Sequence, residues 1–224
     1  MSRNEWIAMI SLLVLAFGVA VPYFMNSARV AARQASAGNL QQWGIALNLF
    51  LTEHDNRLPE TGGPELDKED VLAWYNSLPV YLSQSPWKEL SAPPQPGQPS
   101  LWMDPAIKAG AGGVVFAYAM NAWLQPERTG APYKIYEIDD PTRVVFLVEV
   151  GGATPRALPE EVKFRHGKAA PDPEAAAHVL FVMVMSSLVK KADLTDTAAG
   201  QDPKATMPKV SWVPFFEAPE PVEK

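Results

Sequence analysis

The sequence predicts an α+β fold, in which a long N-terminal α-helix packs its C-terminal half on an antiparallel β-sheet in a globular head. A helical pattern follows Pro22 and continues without another proline to about Glu53. Further along, segments rich in valine and phenylalanine are bounded by glycine or proline, as strands of a sheet are. A sheet laid against one long helix satisfies both observations.

The first 25 residues are strongly apolar. They contain two charged residues, Arg3 and Glu5, and the next charge is Arg29. A segment of this kind spans or enters a bilayer, so we expect residues 1–25 to be the membrane or filament-core part of a helix over 1–55. Pro22 removes a backbone donor and Gly18 weakens the preceding turn, which predicts a break near 18–22.

The second half of this helix is amphipathic. Its apolar residues recur at helical spacing and form one stripe, with Ile45 and Leu49 beside it. We predict that the stripe packs against the head; its members are Leu40, Trp43, Leu47 and Phe50.

The remaining chain divides into a head over 56–194 and a proline-rich, acidic tail over 195–224. Strands are predicted at 114–119, 143–150, 162–165 and 178–185, and a short capped helix is predicted over 67–82, with the acids of the DKED segment at 67–70 in its first turn. Within the tail, the apolar segment 210–216 is expected to dock on the head because three aromatic residues there are too apolar to remain in water.

Composition excludes several classes of function. The net charge is −6 and the pI is about 5.1, so no basic stripe is present to bind nucleic acid. The chain has no cysteine, which excludes disulfides, thiol catalysis and cysteine-based zinc sites.

No catalytic, cofactor-binding or metal-binding residue is predicted, and an enzyme is not expected. The three histidines, His54, His166 and His178, lack a spacing typical of metal ligands such as i, i+4. His166 is interpreted as a hydrogen-bonded residue of a sheet or loop. Three acids, Glu137, Asp139 and Asp140, could surround calcium, but a solvated turn before a proline is the favoured interpretation.

The N-terminal residues resemble those of type IV pilins and pseudopilins. If Met1 is counted as the first mature residue, Glu5 and Pro22 match the glutamate and proline of that superfamily in one register. The head is similar to one bacterial branch of prepilin-type proteins through YAMN at 118–121, RHG at 165–167 and VLFV at 179–182. It departs from that branch at 183–185, where Met-Val-Met replaces Asp-Gly-His.

The resemblance implies a pilin-like fold and a structural role without cofactors. A prepilin peptidase would remove a leader, the new N-terminus would be methylated, and Glu5 would pair with the Met1 amine of a neighbouring copy. The partners would be other copies of the chain, the pilus assembly machinery and, before assembly, the inner membrane. The expected destination is an extracellular filament on the cell surface.

Two alternatives remain open from the sequence. One is a pseudopilin of a type II-like secretion system, which shares the same long helix. The other is a secreted or membrane-anchored binding domain, whose N-terminus is a signal cleaved after Gly18-Val19-Ala20 or an uncleaved anchor.

Overall fold

The structure is a computed structural model that describes residues 3–63, 66–67, 69–125, 130–167, 174–195 and 210–212. It begins with helix α1, Arg3–Glu53. Within α1, side chains are described for Trp6, Val21 and every residue from 26 onward. After α1 the chain forms a head of short helices and a six-stranded sheet.

Helix α1 is continuous through Gly18 and Pro22, where the sequence predicted a break. A proline inside a helix removes one backbone hydrogen bond and crowds the preceding turn, and the bonds on either side are able to keep the backbone helical. The helix ends near Glu53 because Asp55 and Asn56 adopt positive φ angles of 54° and 56°, a conformation in which Asp and Asn are common.

Short helices and 3₁₀ turns lie both before and after the first strand. Helix α2 is Trp74–Ser77 and helix α3 is Lys191–Thr195. The helix predicted over 67–82 is confined to α2: its predicted first turn is not helical at the described residues 67, 69 and 70, and Pro79 begins a separate 3₁₀ turn. Single 3₁₀ turns occupy Pro79–Leu82, Trp87–Glu89, Ala122–Leu124, Ile135–Glu137 and Pro159–Glu161.

Among the described residues, six strands form the sheet. Their bounds are Phe116–Asn121 for β1, Val145–Gly152 for β2, Arg156–Ala157 for β3, His166–Gly167 for β4, Ala175–Phe181 for β5 and Ser186–Lys190 for β6. The order is β3-β1-β2-β5, with β4 beside the first part of β5 and β6 along its other edge.

The predicted fold class needs correction, because the sheet is mixed and not antiparallel. Strand β3 pairs with β1 in parallel, with Met120 opposite Arg156. The chain runs down β2, reverses after Gly152 and returns along the free edge of β1, so β3 has the direction of β1. A strand of two residues has no periodicity that a sequence could display.

Two predicted strands were also misplaced. Residues 162–165 do not pair in the sheet, and the pairing begins at His166. The segment predicted at 178–185 begins inside β5 and continues through the turn after Phe181. Apolar content alone does not separate a strand from the apolar turn that follows it.

The expectation that residues 1–25 form a membrane segment is not supported either. Among the residues whose side chains are described, no helix combines the length and the apolarity needed to cross a membrane. The described part of the chain therefore provides no long apolar helix, and the fold as predicted is corrected on this point as well.

The core lies between α1 and the sheet. Leu40, Trp43 and Leu47 are fully buried, and Phe50 is 3% exposed. Trp43 packs edge-on against both Trp74 and Trp102, at ring-centroid distances of 5.4 and 5.1 Å. Apolar burial of this kind stabilises the fold by roughly 1.5–3 kcal/mol for each large side chain. The C-terminal half of α1 is thus held to the head by its apolar stripe.

A short segment near the C-terminus completes the core. Val210, Ser211 and Trp212 are all buried. Ser211 forms a parallel bridge with Val144: its amide donates to the Arg143 carbonyl at 2.8 Å, and its carbonyl accepts from the Val145 amide at 2.9 Å. The described part of the predicted docking segment therefore lies in the head, while residues 196–209 and 213–224 are outside the described residues.

Candidate functional site

A row of buried polar side chains crosses the sheet beneath α1. Tyr118 in β1 is paired with Glu149 in β2. The register of Val148 with Val179, continued by one residue, places Glu149 beside His178 in β5. Three neighbouring strands thus bring a phenol, a carboxylate and an imidazole together.

A second imidazole and a hydroxyl complete the cluster around Glu149. His166 comes from the short strand β4, and Ser36 comes from α1. Oε1 of Glu149 accepts from Oγ of Ser36 at 2.5 Å, and it lies 2.9 Å from Nε2 of His166 and 3.0 Å from Nδ1 of His178. The two imidazole rings meet edge to face, with their centroids 4.4 Å apart. We call Ser36, Glu149, His166 and His178 the Glu149 cluster.

The Glu149 cluster is closed to solvent. Ser36 and Glu149 have no exposed surface, while His178 and His166 are 4% and 5% exposed. Burial raises the pKa of Glu149, but hydrogen bonds from His166, His178 and Ser36, with the charge of His166, outweigh it and lower the pKa to about 2. Glu149 is therefore a buried carboxylate.

One carboxylate oxygen of Glu149 is not satisfied. All three hydrogen bonds to the side chain converge on Oε1, and Oε2 is buried without a hydrogen-bond partner among the described residues. An unpartnered buried oxygen of a charged group is costly, and in a folded protein it calls for an explanation.

Asp104 and Arg165 lie beside the cluster. Nη1 of Arg165 is 3.2 Å from Oδ2 of the fully buried Asp104, and the same guanidinium donates to the Val150 carbonyl. Burial and the nearby charge of Glu149 raise the pKa of Asp104, against the opposing influence of the Ala106 amide and Arg165. Arg165 thus neutralises Asp104, not Glu149.

Tyr118 and Asn39 connect the cluster to the loop before β1. The Tyr118 hydroxyl lies 3.2 Å from Oγ of Ser36, and Nδ2 of Asn39 donates to the carbonyls of Ser100 and Met103 at 3.1 and 3.0 Å. Burial raises the pKa of Tyr118 far above its usual value, so this phenol remains neutral.

The arrangement is suited to holding an ion and not to turning over a substrate. Every donor atom around Glu149 is buried, so a substrate could not reach a nucleophile or base there. Glu149, His166 and His178 nevertheless present three possible metal-ligand atoms within 4.8 Å of one another. A carboxylate with two imidazoles is a ligand set used for zinc.

Sequence reasoning missed this cluster, because it searched for histidines at helical spacing. The three ligands come from β2, β4 and β5, and only the strand register makes them neighbours. The signal that could have identified the cluster is the alternation of side chains along β5. Ala176 pairs with His166, and His178 follows Ala176 by two residues on the same face of the sheet.

The other sequence-predicted residues are not brought to this site. Met1 lies outside the described residues, and Glu5, Gly18 and Pro22 belong to α1 by their backbone, while their side chains are outside the described part. The stripe residues of α1 are in the core, as described above. His54 stacks on Phe50 at the end of α1.

Glu137 and Asp140, two of the acids considered above for calcium, stabilise the turns in which they lie. Oε2 of Glu137 accepts from the Lys134 amide at 2.7 Å. Asp140 accepts from the Thr142 amide and forms an ion pair with Arg143 at 2.9 Å. These contacts are those of a solvated turn stabilised by its own side chains.

Comparison with known proteins adds no family assignment. No protein-family model matches the chain, and neither the curated proteins nor the solved structures contain a significant match.

Proposed function

We propose that this chain is a structural subunit of a type IV pilus-like filament, in which the N-terminal half of α1 makes the contacts between subunits. The observation that carries the proposal is the projection of α1 beyond the head. Two further observations, the exposed apolar residues of α1 and the turn at Val184, support it.

The projection is defined by where the burial of α1 begins. Ser36 is the first buried residue among the described side chains of the helix. All described side chains before it are exposed except the half-buried Ala32. At about 1.5 Å per residue, the 51 residues of α1 extend about 75 Å, and most of that length precedes Ser36.

The sequence of the projecting part is apolar. Residues 6–25 contain no charged side chain, and Trp6 and Val21 are 51% and 47% exposed. Leaving apolar surface in water is unfavourable by roughly 25 cal/mol per Å². Packing the helices side by side would remove the exposed surface of Trp6 and Val21 from water, which is the driving force for assembly in this proposal.

The packed half of α1 also offers an outward apolar surface. Ile45 and Leu49 lie one turn apart and are 54% and 43% exposed, while the residues around them on the inner face are buried. Residues four apart share a helix face, so these two side chains extend the contact surface toward the head.

The turn between β5 and β6 supports the similarity to prepilin-type proteins. Val184 has a φ of 65°, a conformation that favours glycine and is unusual for a β-branched residue. The prepilin-type segment that this part of the chain resembles has glycine at the same position. A valine in a glycine-type turn is consistent with descent from that segment.

The test combines shearing with mass spectrometry. Filaments are sheared from cells producing the full chain, and the N-terminal peptide is sequenced. We expect a peptide that begins with methylated Met1. The Glu5→Gln variant should give no filaments while its head stays folded, and Glu53→Gln, a matched change on the same helix, should assemble normally.

Other outcomes would assign the alternatives. A peptide beginning at Val21 would identify an exported domain and reject the filament. A chain found only in membranes would indicate an anchored domain or, if short periplasmic fibres are seen by electron microscopy, a pseudopilin. Normal filaments from Glu5→Gln would contradict the proposed contact between Glu5 and the Met1 amine.

A further inference from the structure

We propose that Glu149, His166 and His178 bind a divalent transition-metal ion of the zinc type, and that this ion has a structural role. The inference does not depend on the filament proposal, because it rests on the buried Glu149 cluster alone. Four observations carry it: the donor set, the donor spacing, the unsatisfied oxygen and the local charge.

The donor set and spacing fit a small metal ion. Nε2 of His166 and Nδ1 of His178 lie 2.9 and 3.0 Å from Oε1 of Glu149. Zinc–nitrogen and zinc–oxygen bonds of about 2.0–2.2 Å place neighbouring tetrahedral ligand atoms about 3.3 Å apart. An ion can therefore replace these two hydrogen bonds if each nitrogen moves a few tenths of an ångström away from Oε1, and if the two nitrogens, which lie within 4.8 Å of each other, adjust to the same separation.

The unsatisfied oxygen points to a missing partner. Oε2 of Glu149 is buried and accepts no hydrogen bond from the described residues, although the side chain around it is fully enclosed. A carboxylate can bind a metal through both oxygens, and coordination that includes Oε2 as well as Oε1 accounts for an atom that the hydrogen bonds leave unused.

The local charge also favours a cation. Arg165 is paired with Asp104, and among the described residues the groups that can place a positive charge beside Glu149 are the two imidazoles of the cluster. Neutral imidazole is the form that binds metals. A divalent ion would compensate the buried carboxylate, which is otherwise expensive to enclose.

The chemistry of the ligands selects the class of ion. Two imidazole nitrogens and one carboxylate suit zinc and its neighbours in the transition series, whereas calcium and magnesium prefer oxygen ligands. Coordination requires the proton of His166 to lie on Nδ1 and that of His178 on Nε2, so a neutral ring changes tautomer and a ring that carries a second proton releases it to solvent. Oγ of Ser36 or a water molecule would complete the coordination.

The position of the site suggests what the ion stabilises. The three ligands join β2, β4 and β5, and Ser36 above them is the first buried residue of α1. The ion would therefore fasten the short strand β4 to the sheet at the point where α1 leaves the head.

The test measures binding of the metal alone to the purified full chain. The protein is stripped with a chelator, titrated with ZnCl₂ or MgCl₂, and analysed for metal content and thermal stability. We expect one zinc ion per chain and a rise in Tm of about 5 °C or more at saturating zinc, without an effect of magnesium. Co²⁺ should give the visible bands of a four-coordinate nitrogen–oxygen site.

Three variants separate coordination from hydrogen bonding. His166→Gln and His178→Asn keep an N–H donor near the original nitrogen but are poor ligands, so they should fold and lose the zinc response. His54→Gln, which changes the histidine outside the cluster, should keep it. The proposal is overturned if the stripped parent binds less than about 0.1 zinc per chain at micromolar zinc, or if the two cluster variants bind zinc as the parent does.

Discussion

Gly44 in α1 lies directly against Val184 in the β5–β6 turn. A Cβ atom added to Gly44 would lie 2.9 Å from Cγ1 of Val184 and 3.2 Å from Cδ1 of Leu180. The absence of a side chain at residue 44 thus lets the helix approach the turn closely, and the contact ties the two sides of the core together.

This contact predicts different effects at two glycines of the same helix. Gly38→Ala should raise the free energy of unfolding by about 0.5–1 kcal/mol, because alanine favours helix and no atom lies within 4 Å of its added Cβ. Gly44→Ala should lower it by about 1 kcal/mol, because crowding exceeds the gain in helix propensity. Urea denaturation measures both, and an equal gain at the two sites would disprove the close approach.

The turn itself provides a second prediction. Val184→Gly removes backbone strain of about 1–2 kcal/mol but also loses packing of the half-buried side chain, so the free energy of unfolding should change by less than about 1 kcal/mol. Val182→Gly should cost more than about 2 kcal/mol, because Val182 is fully buried. If urea denaturation gave the same loss of unfolding free energy for Val182→Gly and Val184→Gly, Val184 would not be strained.

Acid should destabilise the metal-free head through Glu149. The hydrogen bonds described above lower its folded pKa to about 2, from a usual value of 4.5. As the pH falls, the unfolded state takes up the proton first, so stability present above pH 4.5 is lost progressively toward pH 2. Urea denaturation across this range, with chelator present, should show the loss.

Two glutamate-to-glutamine substitutions, one in the cluster and one on the surface, test this prediction. Glu149→Gln should be less stable than the parent at pH 7, because a charge-assisted acceptor is lost, and it should show a smaller further loss on acidification. Glu160→Gln, at an exposed glutamate, should follow the parent. An unchanged acid profile in Glu149→Gln would assign the acid sensitivity to other groups.

Asn121 provides the fourth prediction. Its Nδ2 donates to the carbonyls of Val145 and Trp212, at 3.0 and 2.8 Å, and its Oδ1 accepts from the Trp123 amide at 3.0 Å. Asn121→Ala should cost about 2–3 kcal/mol, because it leaves these buried groups unpaired. Hydrogen exchange of the Val145 and Ser211 amides should accelerate, since both hold the segment near Trp212.

An exposed asparagine serves as the control for Asn121. Asn48→Ala on α1 should leave exchange at Val145 and Ser211 unchanged, because Asn48 faces solvent. Unaltered exchange in Asn121→Ala would mean that Ser211 is held by its backbone bonds alone.

The sequence predicted those parts of the fold that are local. Helical spacing identifies the stripe from Leu40 to Phe50, and valine-rich runs identify most of β1 and β2. The parallel pairing of β3 could not be predicted, because it is set by the turn after Gly152 and not by the two residues of the strand. The Glu149 cluster depends on the same kind of non-local register, since β2, β4 and β5 are separated along the chain.

The position of Trp212 has a consequence for the order in which the molecule is made. Its buried ring and the bridge of Ser211 with Val144 are supplied by residues that follow the rest of the described core along the chain, whereas α1 precedes that core. A nascent chain therefore cannot close this core until Trp212 has been translated. Throughout that interval the core that contains the apolar stripe of α1 is incomplete, so synthesis has to proceed without premature association of the helix with other chains.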